Sequence, residues 1–225
     1  MKKFIVKGML LFILALNPAY VTNSSNKIND FNTQKLVVNN RINDLHRMIN
    51  KEYYLFYTNL YQQDLNISKS ERDGNFNFIL ELSYHAIDSE SLPSIALSQA
   101  ILETGFGKSK KLKYNIFGIK GKGIITKTKE FYNNKFITIQ DEFQNFNSLS
   151  DAFNKHYRII GKYVPQNREY EEWAYSIKNN GYATDPRYAK KLIYLIEKYQ
   201  LHRLDNIQTM NVNLEKLISI KYDNF

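Results

Sequence analysis

The chain of 225 residues contains no cysteine. A disulfide framework, a thiolate metal site and a lipid-modified N-terminal cysteine are therefore excluded together, and stability must come from packing. Histidine is also sparse. His46, His85, His156 and His202 are widely spaced, with no HExxH or HxH grouping, so zinc chemistry finds no support and each reads as an ordinary surface or core histidine. No metal or cofactor is expected. Helix-turn-helix, RNP and zinc-finger patterns are missing, which argues against a nucleic-acid partner despite the basic charge. No internal repeat is present.

What is present suits one domain with an extension. Hydrophobic residues make up 43% of the chain, enough for a core, and the formal net charge is +9. Residues 1–25 place Lys2, Lys3 and Lys7 before the apolar run GMLLFILAL, which is short for a bilayer span. They read as a secretory signal, with Ala19 the best cleavage position, or as an uncleaved N-terminal anchor. Membrane contact is expected only there, and the chain is expected to be exported to the cell envelope or beyond. Residues 26–74 form a helical extension, where Leu36, Val37, Ile42, Leu45, Ile49, Tyr53, Tyr54, Phe56, Tyr57 and Tyr61 suggest one or two amphipathic helices. ISKSERDGN, Ile67 to Asn75, reads as a linker. Residues 75–203 hold the core and residues 204–225 a short tail.

Within the core, LPSIALSQAILETGFGKSKKLKYNIFGIKG, Leu92 to Gly121, begins as an apolar helix. Ser91 is its expected N-cap, Pro93 lies in its first turn, and Gly105 and Gly107 end it. Glu103 then sits in the last turn. Burial and the negative end of the helix dipole both disfavour its charged form and raise its pKa, as a proton donor requires. Gln99 lies one turn below, within expected hydrogen-bonding reach of it. Nine lysines between Lys108 and Lys135, with Glu130 the one acidic residue among them, pull the other way.

The period then becomes alternating. IITKTKEFY and KFITIQDEF flank Asn133 and Asn134, which predicts a hairpin with Thr126, Thr128, Glu130 and Tyr132 on one face. Glu130 can face a cleft if that side turns inward, and it is the only acidic residue between Glu103 and Asp141. Ser148 and Asp151 make a capping box for a helix to about Gly161. A helix containing Trp173 ends near Gly181, and another begins at Asp185 and Pro186 with Tyr188, Leu192 and Leu195 as its inner stripe. Tyr182 falls in the tight loop between these two, and the last residues suggest one more amphipathic helix.

Four stretches also carry a resemblance: ALSQAILETGFGKS, NIFGIKG, TKEFYNNKFITIQDEFQNFNSLSDAF and NNGYATDPRYAKKLI. Together they resemble the bacterial glucosaminidase domain, glycoside hydrolase family 73, over about Leu92 to Leu201. The resemblance implies a predominantly helical α+β fold, with a lysozyme-like helical lobe, a small β-hairpin lobe and a cleft between. It implies Glu103 as catalytic acid, Glu130 in a T-x-E-[FY] pattern as second catalytic carboxylate, and Tyr182 as a cleft tyrosine that steadies the reacting sugar. Asn115 and Phe117 match its N-x-F-G element and, with Gln99 and Tyr132, are expected to bind substrate. The implied activity is an endo-beta-N-acetylglucosaminidase acting on peptidoglycan glycan strands. A lytic transglycosylase is the nearest rival, against which Glu130 and GYATDP argue, and a non-catalytic wall-binding protein is the rival of another class.

Overall fold

Serine caps and glycine stops divide this chain into helices, and a run of β-branched residues supplies a hairpin. In a computed structural model the described residues are 24–63, 66–109, 112–132, 135–167 and 169–224, without the side chains of 24–32, 129–132, 136 and 224. The elements are α1 (Ser24–Gln62), α2 (Lys69–Asp88), α3 (Pro93–Thr104), β1 (Gly123–Tyr132), β2 (Lys135–Gln144), α4 (Leu149–Ile160), α5 (Tyr170–Asn179), α6 (Tyr188–Lys198) and α7 (His202–Asn224). The predominantly helical α+β class holds. The expected signal or anchor lies, but for its last two residues, outside the described residues. Among the described residues no helix is long and apolar enough to cross a membrane.

Helix α2 starts inside the stretch Ile67 to Asn75 that reads as a linker. Ser68 caps it by accepting from the Glu71 N–H at 3.2 Å, so most of the predicted linker is its first turns. The signature was readable as Ser68-x-x-Glu71, a serine followed at the third position by glutamate. Gly74, which suggested a break, sits inside the helix with open space where a side chain would be. Helix α4 starts as predicted, with Asp151 N–H donating to Ser148 Oγ at 3.1 Å.

Helix α3 is buried from Pro93 through Ile101, and α2, α5 and α6 pack against it. Its N-cap is Leu92, not Ser91, and Leu92 has no side chain able to accept a hydrogen bond. The cap comes from far along the chain. Asp205, in the first turn of α7, accepts from Ser94 N–H at 2.8 Å and from Ser94 Oγ–H at 2.6 Å, placing a carboxylate at the positive end of α3. Three residues on, Gln208 Nε2 donates to the carbonyls of Ile87 at 2.9 Å and Ser89 at 2.7 Å, at the end of α2. The start of α7 therefore clamps the α2–α3 joint.

Strands β1 and β2 pair antiparallel in a register running from Gly123 opposite Gln144 to Tyr132 opposite Lys135. Their turn residues, Asn133 and Asn134, lie outside the described residues. At the base of the hairpin Gln144 N–H bonds to Ile119 O at 2.9 Å and Gly121 N–H to Glu142 O at 3.0 Å. These bonds tie the hairpin to the loop after α3.

The chain divides into two units, and α1 and α7 each contribute to both. One comprises the residues to Asn50 with Met210–Phe225, and its core joins Val38, Ile42 and Leu217, flanked by Leu45, Leu214 and Ile218. The other, Lys51–Thr209, contains the rest. There the end of α1 buries Phe56 and Leu60, while Asn59 Nδ2 donates to Gln200 Oε1 at 2.7 Å and Arg203 pairs with Glu52 at 3.0 Å. The apolar stripe of α1 is narrower than predicted: Leu36 and Tyr54 are 59% and 69% exposed, and Val37 and Tyr61 are exposed too.

Candidate active site

A cleft of about 760 Å³ in the larger unit collects residues from α3, the loop after it, the hairpin, α4 and α6. Leu102 and Glu103 end α3, Phe117 to Lys120 follow in the loop, and Thr128 and Phe143 come from the hairpin. Tyr163, the loop Gly181–Asp185, and Tyr188 and Lys191 of α6 complete the wall. Glu103 reaches this position because Gly105 terminates α3 two residues after it, at φ +57°, with its N–H returning to Ile101 O at 2.9 Å.

The Glu103 side chain keeps an open edge on the cleft. The surrounding protein thins the water around its carboxyl, and this burial pushes its pKa up to about 7. The neighbouring lysine-rich stretch is partly engaged elsewhere. Of those lysines, Lys108 pairs with Glu71, and Lys120 pairs with Asp141 at 2.6 Å, holding that carboxyl below its ordinary range.

Gly118 lies directly under the carboxyl. Its φ is +63°, and a Cβ there would stand 3.3 Å from Glu103 Oε2, so any side chain at this position would be strained and would crowd the acid. Asn115 builds that loop. It is buried, its Oδ1 accepts from Ile119 N–H at 2.8 Å, and its Nδ2 donates to the carbonyls of Ile119 and Gln144 at 2.8 Å each. Asn115 is thus placed to shape the cleft, and it is not part of the cleft lining. Phe117 is part of it, with its ring stacked on His156 at 4.0 Å between centroids.

Gln99 departs from expectation. It is 1% exposed, lies outside the cleft lining, and its amide is engaged away from Glu103. Nε2 donates to the Tyr188 hydroxyl at 2.8 Å, and Oε1 lies 2.7 Å from His156 Nε2. Helical spacing puts residues 99 and 103 on one face but does not set where the amide turns. Tyr182 lines the cleft, with its ring 6.0 Å from that of Tyr188. Burial, and then the neighbouring Glu103, pushes the Tyr182 phenol up beyond the ordinary tyrosine range, so it stays protonated.

Thr128, two residues before Glu130 in β1, lines the cleft. The Glu130 backbone pairs opposite Ile137 and that of Tyr132 opposite Lys135, while both side chains lie outside the described residues. Among the described residues no three metal-ligating side chains cluster. Sequence reading assigned no site role to His156 or Tyr188, which read as an ordinary histidine and as core stripe. It also passed over the pair of Asp185 with Lys191, 2.5 Å apart at the cleft edge.

Comparison with known proteins bears on this geometry. Residues 83–201 match the family described as mannosyl-glycoprotein endo-beta-N-acetylglucosaminidase. The exo-glucosaminidase LytG of Bacillus subtilis (strain 168) is 31% identical over 159 residues, covering 64% of this chain and 55% of that protein. The peptidoglycan hydrolase FlgJ of Salmonella typhimurium is 29% identical over 140 residues, covering 55% of this chain and 44% of that protein. A crystal structure of an N-acetylmuramoyl-L-alanine amidase from Staphylococcus aureus superposes with a TM-score of 0.50 at 26% identity, over 62% of this chain and 44% of that one. The chain spans about half the length of these curated relatives.

Proposed function

The chain belongs to the glucosaminidase family, and from that premise we propose that it hydrolyses bacterial peptidoglycan, cutting the β-1,4 bond after N-acetylglucosamine within the glycan strand. The observation that carries the reading is Glu103, a carboxyl set on a cleft with its pKa raised to about 7 by burial. At neutral pH such a group holds its proton about half of the time, against a small fraction for an ordinary glutamate. Its relatives LytG, an exo-glucosaminidase, and FlgJ, a peptidoglycan hydrolase, support the substrate. That substrate puts the chain's work in the cell envelope, which the basic start and apolar run of residues 1–25 also suit.

In this reading Glu103 gives its proton to the glycosidic oxygen as the C1–O bond breaks, and the oxygen of water ends on C1. Tyr182 steadies the sugar beside it, and Glu130 supplies the second carboxylate. The Glu103→Gln variant should lose lysis by about a hundred-fold or more with the fold intact. If Glu130 activates the water, Glu130→Gln should fall nearly as far. An unchanged rate would assign the attack to the substrate's own acetamido oxygen.

The test is mass spectrometry of soluble products from purified peptidoglycan. Internal fragments with reducing N-acetylglucosamine ends are expected. Release of single sugars from strand ends would make the enzyme exo-acting, and anhydro-muramic ends would make it a transglycosylase. Products with reducing muramic acid would move the cut to the other bond.

A further inference from the structure

Tyr188 takes no part in the steps above, although it is the one tyrosine of the cleft whose hydroxyl is held by a buried amide. Its ring packs beside Tyr182, it is 4% exposed, and it forms part of the cleft wall. The direction of its hydrogen bond follows from the group behind Gln99. His156 is fully buried, and that burial pushes its imidazole down to about 3, so the ring is neutral and carries one proton. Nδ1 has no hydrogen-bond partner among the described residues. A proton on Nδ1 would leave a buried N–H without an acceptor, a costlier defect than a bare lone pair. The proton therefore sits on Nε2 and is donated to Gln99 Oε1 at 2.7 Å. That fixes the amide, and Gln99 Nε2 donates to the Tyr188 oxygen at 2.8 Å.

With its oxygen accepting from Gln99, the Tyr188 hydroxyl still has its own proton to give. No acceptor for that proton occurs among the described residues, and Tyr188 belongs to the cleft wall, where Tyr182 and Glu103 are the ionisable groups acting on it. We propose that Tyr188 is a substrate-facing hydrogen-bond donor, aimed into the cleft by the His156–Gln99 pair, and that it takes an acetamido or hydroxyl oxygen of the bound glycan next to Glu103. Gln99 and His156 are positioning residues that never meet the sugar. The inference rests on the glycan reading of the cleft and adds a contact to it.

The experiment is calorimetric titration of the full chain carrying Glu103→Gln, which binds without turnover, with a neutral β-1,4-linked tetramer of N-acetylglucosamine. Adding Tyr188→Phe keeps the ring against Tyr182 and removes only the hydroxyl. Affinity should weaken about three- to ten-fold, the effect of one neutral hydrogen bond. Unchanged affinity overturns the proposal.

Gln99→Glu in the same background tests the positioning and keeps the proposal open to refutation if the phenylalanine variant does not fold. A protonated Glu at position 99 still donates to Tyr188, but an ionised one accepts from both neighbours and draws the tyrosine proton inward. Binding should therefore weaken as pH rises, with His156, Tyr182 and Tyr188 the titratable groups around it and residue 103 already silenced. A parallel pH profile for the parent overturns the positioning role. Clearing of peptidoglycan by the wild-type chain separates the two readings. If the wild type clears and Tyr188→Phe alone matches it in kcat and KM, the contact is wrong and the function stands. If the wild type neither clears nor binds, both are wrong.

Discussion

A carboxyl whose pKa is raised to about 7 in the folded chain keeps a proton that the unfolded chain releases above about 4.5. Between those values the native state holds more protons than the unfolded state, so stability falls as pH rises through the window and levels off above it. Glu103→Gln removes that dependence. Because the side chain keeps an open edge to solvent, the effect is discounted to about 1 kcal/mol, or roughly 2–4 °C in Tm for a chain of this size. Differential scanning fluorimetry should find the variant more stable than wild type near pH 8 and equal to it near pH 4; a wild type that is more stable near pH 8 would mean the anion is the favoured form. The same titration sets the alkaline limb of activity, which should fall about ten-fold per pH unit above about 7. Gly118→Ala tests the floor beneath the acid. With φ at +63° and Glu103 Oε2 3.3 Å from the new Cβ, it should lose roughly 1–2 kcal/mol of stability and about ten-fold or more in kcat. Glu103 was legible in the sequence because an apolar helix and two glycines isolate it. Gln99 was legible only as a position, since its partner His156 is 57 residues away and no local pattern announces it.

At the scale of elements, local signals read only in part: the Ser68 cap of α2 is readable, yet its stretch reads as a linker. Alternation and the Asn133–Asn134 pair located the hairpin, and Ser148 with Asp151 located the start of α4. What the sequence could not show is an element completed from a distance. Leu92 gives α3 no cap of its own, and the carboxylate that supplies one belongs to Asp205, 111 residues beyond Ser94, in what read as a short tail. This contact makes α7 part of the support of the acid, because Glu103 lies in the last turn of α3. Asp205→Ala deletes two hydrogen bonds to a charged group and leaves the first turn of α3 uncapped. It should reduce stability by about 2–3 kcal/mol, or roughly 4–10 °C in Tm. Asp205→Asn, which keeps one acceptor oxygen, should fall between. Hydrogen exchange should quicken first at Ser94; protection there that is unchanged in the alanine variant would remove Asp205 from the cap.

For the whole chain, the net charge of +9 is legible in the composition, whereas its distribution is not. The lysine-rich stretch after α3 looked like one positive field, but Lys108 is matched by Glu71 and Lys120 by Asp141. The net charge of +9 remains, and it should act on encounter with a large anionic polymer more than on binding in the cleft. Screening makes that distinction measurable, because the Debye length shrinks from about 10 Å at 0.1 M salt to about 3 Å at 1 M. Raising salt over that range should slow the clearing of intact cell wall several-fold through KM, as steering by many distant charges is lost. Cleavage of a neutral N-acetylglucosamine oligomer, which has no charge to steer, should change less than about two-fold. Equal losses on both substrates would place the salt-sensitive charges inside the cleft, where Lys120 and Lys191 line its wall, and would assign the basic character of the chain to the site itself.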